Sequence, residues 1–272
     1  MDRSLGNREG DKSRVTRDNS FQGQKRKIST TKNNTSGTST ASQTDNMSSF
    51  KTEKPPNAAS DLPLIVRFYD EEIRARDSRG RTQEEMLAWP DSQLEDCHNY
   101  IQMLFPVPEG SAFNWEAPII DRETMDAFRS RTDLRDRMRH SFERMLTFYG
   151  FAVQMPSKKK KDDISHVEDT ETKQIIRGAN FAKNSRNWAV RFDHNHLRIT
   201  RILRCLRVLG LQVECDAFFK ALQDVYDDAA FKISPRSLMY WTHAVTRPLY
   251  IAPNDDQIGW LKEWEEEQVQ ET

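Results

Sequence analysis

The chain has 272 residues, 36% hydrophobic and 31% charged, with a formal net charge of −1. That balance argues against a globally basic nucleic-acid binder, and no apolar run reaches the ~20 residues needed to cross a bilayer. The three cysteines, Cys97, Cys205 and Cys215, form no C-x-x-C pair, and the N-terminus has no apolar signal segment, so the chain reads as a reduced protein that is not secreted.

Residues 1–59 are rich in Ser, Thr, Asn, Lys and Arg and poor in large apolar side chains. Such a segment cannot bury enough surface to offset its ordering entropy and reads as a disordered tail. Up to Pro56 it carries eleven Lys and Arg against six Asp and Glu. Its Lys25-Arg26-Lys27 triplet reads as a solvated basic tail or a weak nuclear-import patch.

The folded part is expected from residue 60 to 250. Leu64, Ile65, Phe68 and Ile73 mark a first short amphipathic helix. The second is expected over Ser92–Phe105, with Ser92 and Glu95 in capping-box spacing and Pro106 as its stop. On it Leu94, Cys97, His98, Ile101, Leu104 and Phe105 share an arc of about 120°, which turns His98 inward. The third starts at Asp121 as N-cap, with Ile120 and Met125 placed as a hydrophobic staple. The fourth spans Thr132 to Tyr149, and Gly150 suits the left-handed position after it.

Residues 156–173, PSKKKKDDISHVEDTETK, read as a polar loop insertion, with a short hairpin around Ile175–Ile176. The fifth helix, DHNHLRITRILRCLRVLG, places Ile199, Ile202, Leu203, Leu206 and Leu209 on one face. Arg198, Arg201, Arg204 and Arg207 fan across the other, where they are candidates for binding an anion or for pairing with local carboxylates. A sixth helix covers Leu211–Tyr226. A seventh opens with Ser234 as N-cap and Pro235 at N1. An acidic eighth, in residues 251–272, starts near Asn254 and carries Ile258, Leu261 and Trp264. The fold class is therefore all-α: one bundle-like domain of seven to eight helices behind a tail.

In chain order, FYDEEI, LEDCHNYIQMLFP, FNWEAPI, MLTFYG and HNHLRITRILRCLRVLGL resemble the conserved domain of the opioid growth factor receptor family, over about residues 68–247. The resemblance implies a helical domain of a receptor outside the seven-helix membrane class, with the pentapeptide Met-enkephalin as ligand. It also implies a nuclear or perinuclear and cytoplasmic location, membrane association without a spanning segment, and restraint of growth. The family's polar positions fall here on His98, Tyr100, Gln102, His194, Asn195, Arg198, Thr200 and Arg201. The sequence departs from the family at Met103, in a longer 156–173 loop, in a basic rather than acidic N-terminal region, and in lacking Pro-rich C-terminal repeats. These departures bear on partner contacts more than on the fold.

No phosphate-binding, nucleophile-elbow or dinucleotide motif is present. His194-x-His196 would point its rings about 200° apart on a helix, so no metal set is expected, and DHNH lacks the strands and ligands of an HNH nuclease. The reading is a non-enzymatic receptor-like or adaptor protein without cofactor. Its partner is a small enkephalin-like peptide or a protein, with nucleic acid on the Arg198–Arg207 face as the alternative. His98, Gln102, His194 and Asn195 are expected to meet as a polar cluster where the second and fifth helices pack.

Overall fold

The computed structural model describes residues 61–111, 114, 116–154 and 174–270. The expectations for the 1–59 tail and the 156–173 insertion lie outside these residues. Among them are eleven α-helices and one two-stranded hairpin, a predominantly helical architecture.

The first half is built from α1 (Leu64–Tyr69), α2 (Gln83–Leu87), α3 (Asp91–Asp96), α4 (Tyr100–Leu104), α5 (Arg122–Ser130) and α6 (Thr132–Tyr149). The long α6 packs on α1, α2 and α5 and buries Leu134, Met138, Phe142, Met145 and Leu146. Asp121 caps α5 by accepting from the Thr124 N–H at 2.8 Å, and Ile120 and Met125 are both fully buried beside it. Gly150 ends α6 at φ +91°, in the left-handed region that favours glycine.

The chain then forms β1 (Phe151–Gln154), paired antiparallel with β2 (Gln174–Arg177). A short α7 (Phe181–Asn184) and one 3₁₀ turn (Ser185–Asn187) follow. Here Tyr149, Phe151, Phe181, Trp188 and Phe218 make an edge-to-face and tilted ring cluster. The second half consists of α8 (Asn195–Val208), α9 (Gln212–Tyr226) and α10 (Pro235–Thr246), which pack on one another, and α11 (Gly259–Gln270). Ser234 caps α10 with Pro235 at N1.

Several sequence expectations are corrected. Ile73 lies beyond α1, and the last helix starts at Gly259 rather than near Asn254. The helix expected over Ser92–Phe105 is two helices, because Cys97 adopts an extended backbone at φ −88°, ψ 124°. The Ser92–Glu95 capping box does not form. The N-cap there is Pro90, and a capping box closes instead at Thr82 and Glu85 on α2, which the apolar periodicity did not reveal.

The arginines of α8 do not fan into solvent. Arg198 and Arg204 are only 5% and 1% exposed, and Arg201 and Arg207 are half-buried. Each donates to main-chain carbonyls at the end of another segment: Arg201 to Phe105, Arg204 to Leu249 and Arg207 to Arg247. The pattern extends beyond α8. Arg129 serves the Arg207 and Val208 carbonyls, Arg135 those of Phe128 and Arg129, and Arg144 those of Leu87 and Trp89. Helix C-termini leave carbonyls without intrahelical partners and carry partial negative charge, so a guanidinium satisfies both at once. This is why the stripe is internal: it ties helices together through their ends.

Candidate functional site

Arg198 organises the junction of α3, α4 and α8. Its guanidinium donates at 3.0 Å to each of the carbonyls of Leu94, Glu95 and Cys97, and at 3.3 Å to Nδ1 of His98. In one continuous helix the Leu94 and Glu95 carbonyls would accept from residues four positions on. Here an arginine a hundred positions away replaces those donors and turns the chain at Cys97. The guanidinium carbon also lies 5.6 Å from the centroid of the buried Tyr100 ring.

The turn brings His98 out of the core. Its ring meets that of His194, with centroids 5.3 Å apart and planes at 31°. The two rings come together as expected, but both are exposed rather than enclosed in an apolar surround. Asn195 is fully buried, donates to the Glu95 carboxylate at 3.2 Å and accepts from Arg198 at 3.1 Å. Gln102 stays apart from this group and engages Ser111 and Asn114. The expected four-residue cluster is therefore split.

The buried histidine among the described residues is His196. Its Nε2 donates to the Trp188 carbonyl at 2.7 Å, which leaves Nδ1 to accept from the Ser237 hydroxyl at 2.8 Å. Burial pulls its pKa below the ordinary value, against the pull of the Trp188 carbonyl in the other direction. With both nitrogens committed, His196 shares no ligand set with His194. Glu95, Asp193 and His194 do bring donor atoms within 4.8 Å of one another. Glu95, however, is held by Asn195 and lies 3.9 Å from Arg198, while Asp193 accepts the Asn195 main-chain N–H at 2.8 Å. This trio serves to tie down the start of α8.

A cleft of about 420 Å3 opens beside the histidine pair. Its walls come from His98 and α4, residues 107–111, His194 and α8 as far as Arg204, Tyr240 of α10, and Pro253 and Asn254. Six of the eight family-type polar residues line it: His98, Gln102, His194, Arg198, Thr200 and Arg201. Tyr100 and Asn195 support it from behind. Thr200 turns its hydroxyl back to the His196 carbonyl at 2.9 Å. Ile101, Val107, Leu197, Tyr240 and Pro253 supply apolar wall, and Leu197 is 59% exposed at the rim. Glu109 is paired with the buried Arg204 at 3.3 Å.

The arrangement can hold a partly apolar molecule against fixed hydrogen-bonding groups. Burial pushes the Cys205 and Cys215 thiols up, Cys215 to about 12, so neither is a thiolate at neutral pH. Sequence reasoning missed Glu95, Glu109, Leu197 and Tyr240. Glu109, a lone acid in the turn-rich stretch VPEGS, was the one visible signal; the others are set by packing.

Comparison with known proteins bears on what such a cleft serves. The model of the opioid growth factor receptor conserved region matches residues 60–248. The chain is 35% identical to "Opioid growth factor receptor" of Rattus norvegicus over 149 residues, 54% of this chain and 23% of that protein. The Homo sapiens protein of the same name is 34% identical over 149 residues, 54% and 20% of the two chains. "Opioid growth factor receptor-like protein 1" of Mus musculus is 29% identical over 171 residues, 60% and 31% of the two. The matched part thus spans between about a fifth and a third of these relatives. No solved structure matches the chain. The relatives are named as receptors and a receptor-like protein, not as enzymes, and no helix among the described residues is long and apolar enough to cross a membrane. The order of its motifs and the family match over residues 60–248 together place this chain in the family of the opioid growth factor receptor conserved region.

Proposed function

We propose that residues 60–250 form a non-catalytic, receptor-like binding domain that takes a short peptide in the cleft between α4, α8 and α10, closed on one side by Pro253 and Asn254 and followed by the acidic helix α11. The observation that carries this reading is the gathering of six family-type polar residues around one apolar cavity. A cavity of about 420 Å3 suits a few side chains rather than a folded partner. The relatives' name, opioid growth factor receptor, points to an opioid peptide, and the resemblance specifies Met-enkephalin. Growth regulation and a nuclear, perinuclear or cytoplasmic location follow from the same kinship and belong to the proposal.

Titration of the full chain with fluorescently labelled Met-enkephalin and a scrambled pentapeptide tests it. Saturable binding of the first, displaced by unlabelled peptide and weakened by Leu197→Ser, is expected. Equal weak signals from both peptides would reject opioid recognition. The alternative, nucleic acid or a protein on the Arg198–Arg207 face, has less to draw on, because Arg198, Arg204 and Arg207 donate to carbonyls inside the fold and Arg201 alone of the four keeps donors toward the cleft.

A further inference from the structure

Among the four arginines of α8, Arg201 and Arg207 each make a single side-chain hydrogen bond among the described residues, and of these two only Arg201 lines the cleft. Arg198 is fixed by carbonyls on three residues and by Asn195. Arg204 holds Glu109 and the Leu249 carbonyl. Arg207, which does not line the cleft, reaches the Arg247 carbonyl. Arg201 lines the cleft, yet its single hydrogen bond among the described residues runs from Nη1 to the Phe105 carbonyl at 3.1 Å. It has no ion pair among them. Glu109, the one acid among the described residues of the cleft wall, pairs with Arg204. A guanidinium carries five N–H donors in a fork that matches a carboxylate.

The surroundings raise the value of an anion there. Arg201 is half-buried, and that burial lowers its pKa, with the nearby Glu109 charge opposing. The neighbouring wall is apolar: Ile101 and Val107 are buried, and Leu197 and Tyr240 flank them. The chemistry is a half-buried cation whose remaining donors take no partner among the described residues, with an apolar shelf beside it.

We propose that this cleft recognises the C-terminal end of a peptide, with the terminal carboxylate on Arg201 and the last apolar side chain against Val107, Leu197 and Tyr240. The inference rests on the peptide-binding reading and adds which end enters. A main-chain amide at that end lacks the charge to complement Arg201, so a C-terminal amide is the discriminating probe.

The test uses the full chain and two matched pairs of probes: N-acetyl-L-phenylalanine with its amide, and Met-enkephalin with its C-terminal amide. Each acid should bind about tenfold tighter than its amide or better, the ratio expected from a charged hydrogen-bonded pair. Arg201→Gln should bring the acid down to the affinity of the amide. Leu197→Ser should weaken acid and amide together and leave their ratio intact. The wild-type acid-to-amide ratio decides the matter even if Arg201→Gln fails to fold. Acid and amide of both pairs bound alike would overturn the proposal while leaving the peptide reading in place. Acid-selective, Arg201-dependent binding of N-acetyl-L-phenylalanine without binding of Met-enkephalin would reject the opioid reading and uphold the carboxylate site. No binding of any of the four would overturn both.

Discussion

The Arg198 guanidinium and the Cys97 carbonyl meet at 3.0 Å, and the chain between α3 and α4 turns at that contact. The side chain is 5% exposed, so its bonds form out of competition with water. Arg198→Met leaves the carbonyls of Leu94, Glu95 and Cys97 without their donor and should cost about 3–5 kcal/mol in urea unfolding. Arg198→Lys should recover only part of this, because an ammonium lacks the planar fork that reaches three carbonyls. A loss under about 1 kcal/mol for the Met variant would show that the turn is held by something else.

How much of this was legible in the sequence follows from where the cause of each feature lies. The bounds of α6, the Asp121 and Ser234 caps and the left-handed Gly150 were all read correctly, since each depends on residues within one helical turn. The break at Cys97 was not, because its cause is Arg198, a hundred positions along the chain. The same long-range capture misled the reading of the α8 stripe: amphipathic spacing says which face is polar, not whether that polarity meets water or helix ends. Of the site, the family-type positions around the cleft were legible from motif resemblance. The exposure of His98 and the burial of His196 were not, since periodicity assigned the first to the core and gave no role to the second.

His196 predicts a pH dependence with a definite sign. Its folded pKa lies below the ordinary value of 6.5, with burial as the main cause. As pH falls through about 6.5, the unfolded chain takes up a proton that the folded chain refuses, so stability declines until the lower folded pKa is passed. Above that window the group contributes no slope. Unfolding free energies measured from about pH 7.5 down to 5.5 should therefore fall, and the fall should flatten in His196→Gln. A wild-type profile that is level across that range contradicts the assignment of a neutral, buried ring.

Two glycines should respond differently to alanine. At Gly150, φ is +91° and a Cβ would sit 2.7 Å from the main-chain Cα of Phe181, which cannot step aside. Gly150→Ala should cost about 3 kcal/mol from left-handed strain and overpacking together. At Gly210, φ is +82° but the nearest atom is Cγ of the Arg129 side chain at 3.2 Å, which need give by only a few tenths of an ångström. Gly210→Ala should cost only about 1 kcal/mol. Thermal melts of the two variants give the comparison, and equal shifts would refute it.

Glu109 balances a guanidinium that is 1% exposed. Glu109→Ala strands the Arg204 charge with the Leu249 carbonyl as its remaining partner, and about 3 kcal/mol of stability should be lost. The double variant Glu109→Ala with Arg204→Met should regain much of it, because removing both charges leaves no uncompensated ion. Calorimetry of the single and double variants settles the point; a double variant no more stable than the single would show that Arg204 is needed for its carbonyl bond instead.

The hairpin has a consequence for how this fold can be modified. Gln154 and Gln174 are register partners, so the two ends of whatever chain joins β1 to β2 leave the domain at neighbouring points. A connection that starts and finishes in one place exerts no leverage on the helices behind it, and lengthening it adds only a slowly growing closure entropy. That junction is therefore a natural graft point: a reporter domain spliced between these strands should ride on the protein without prying apart its core, and would give binding assays a handle away from the cleft.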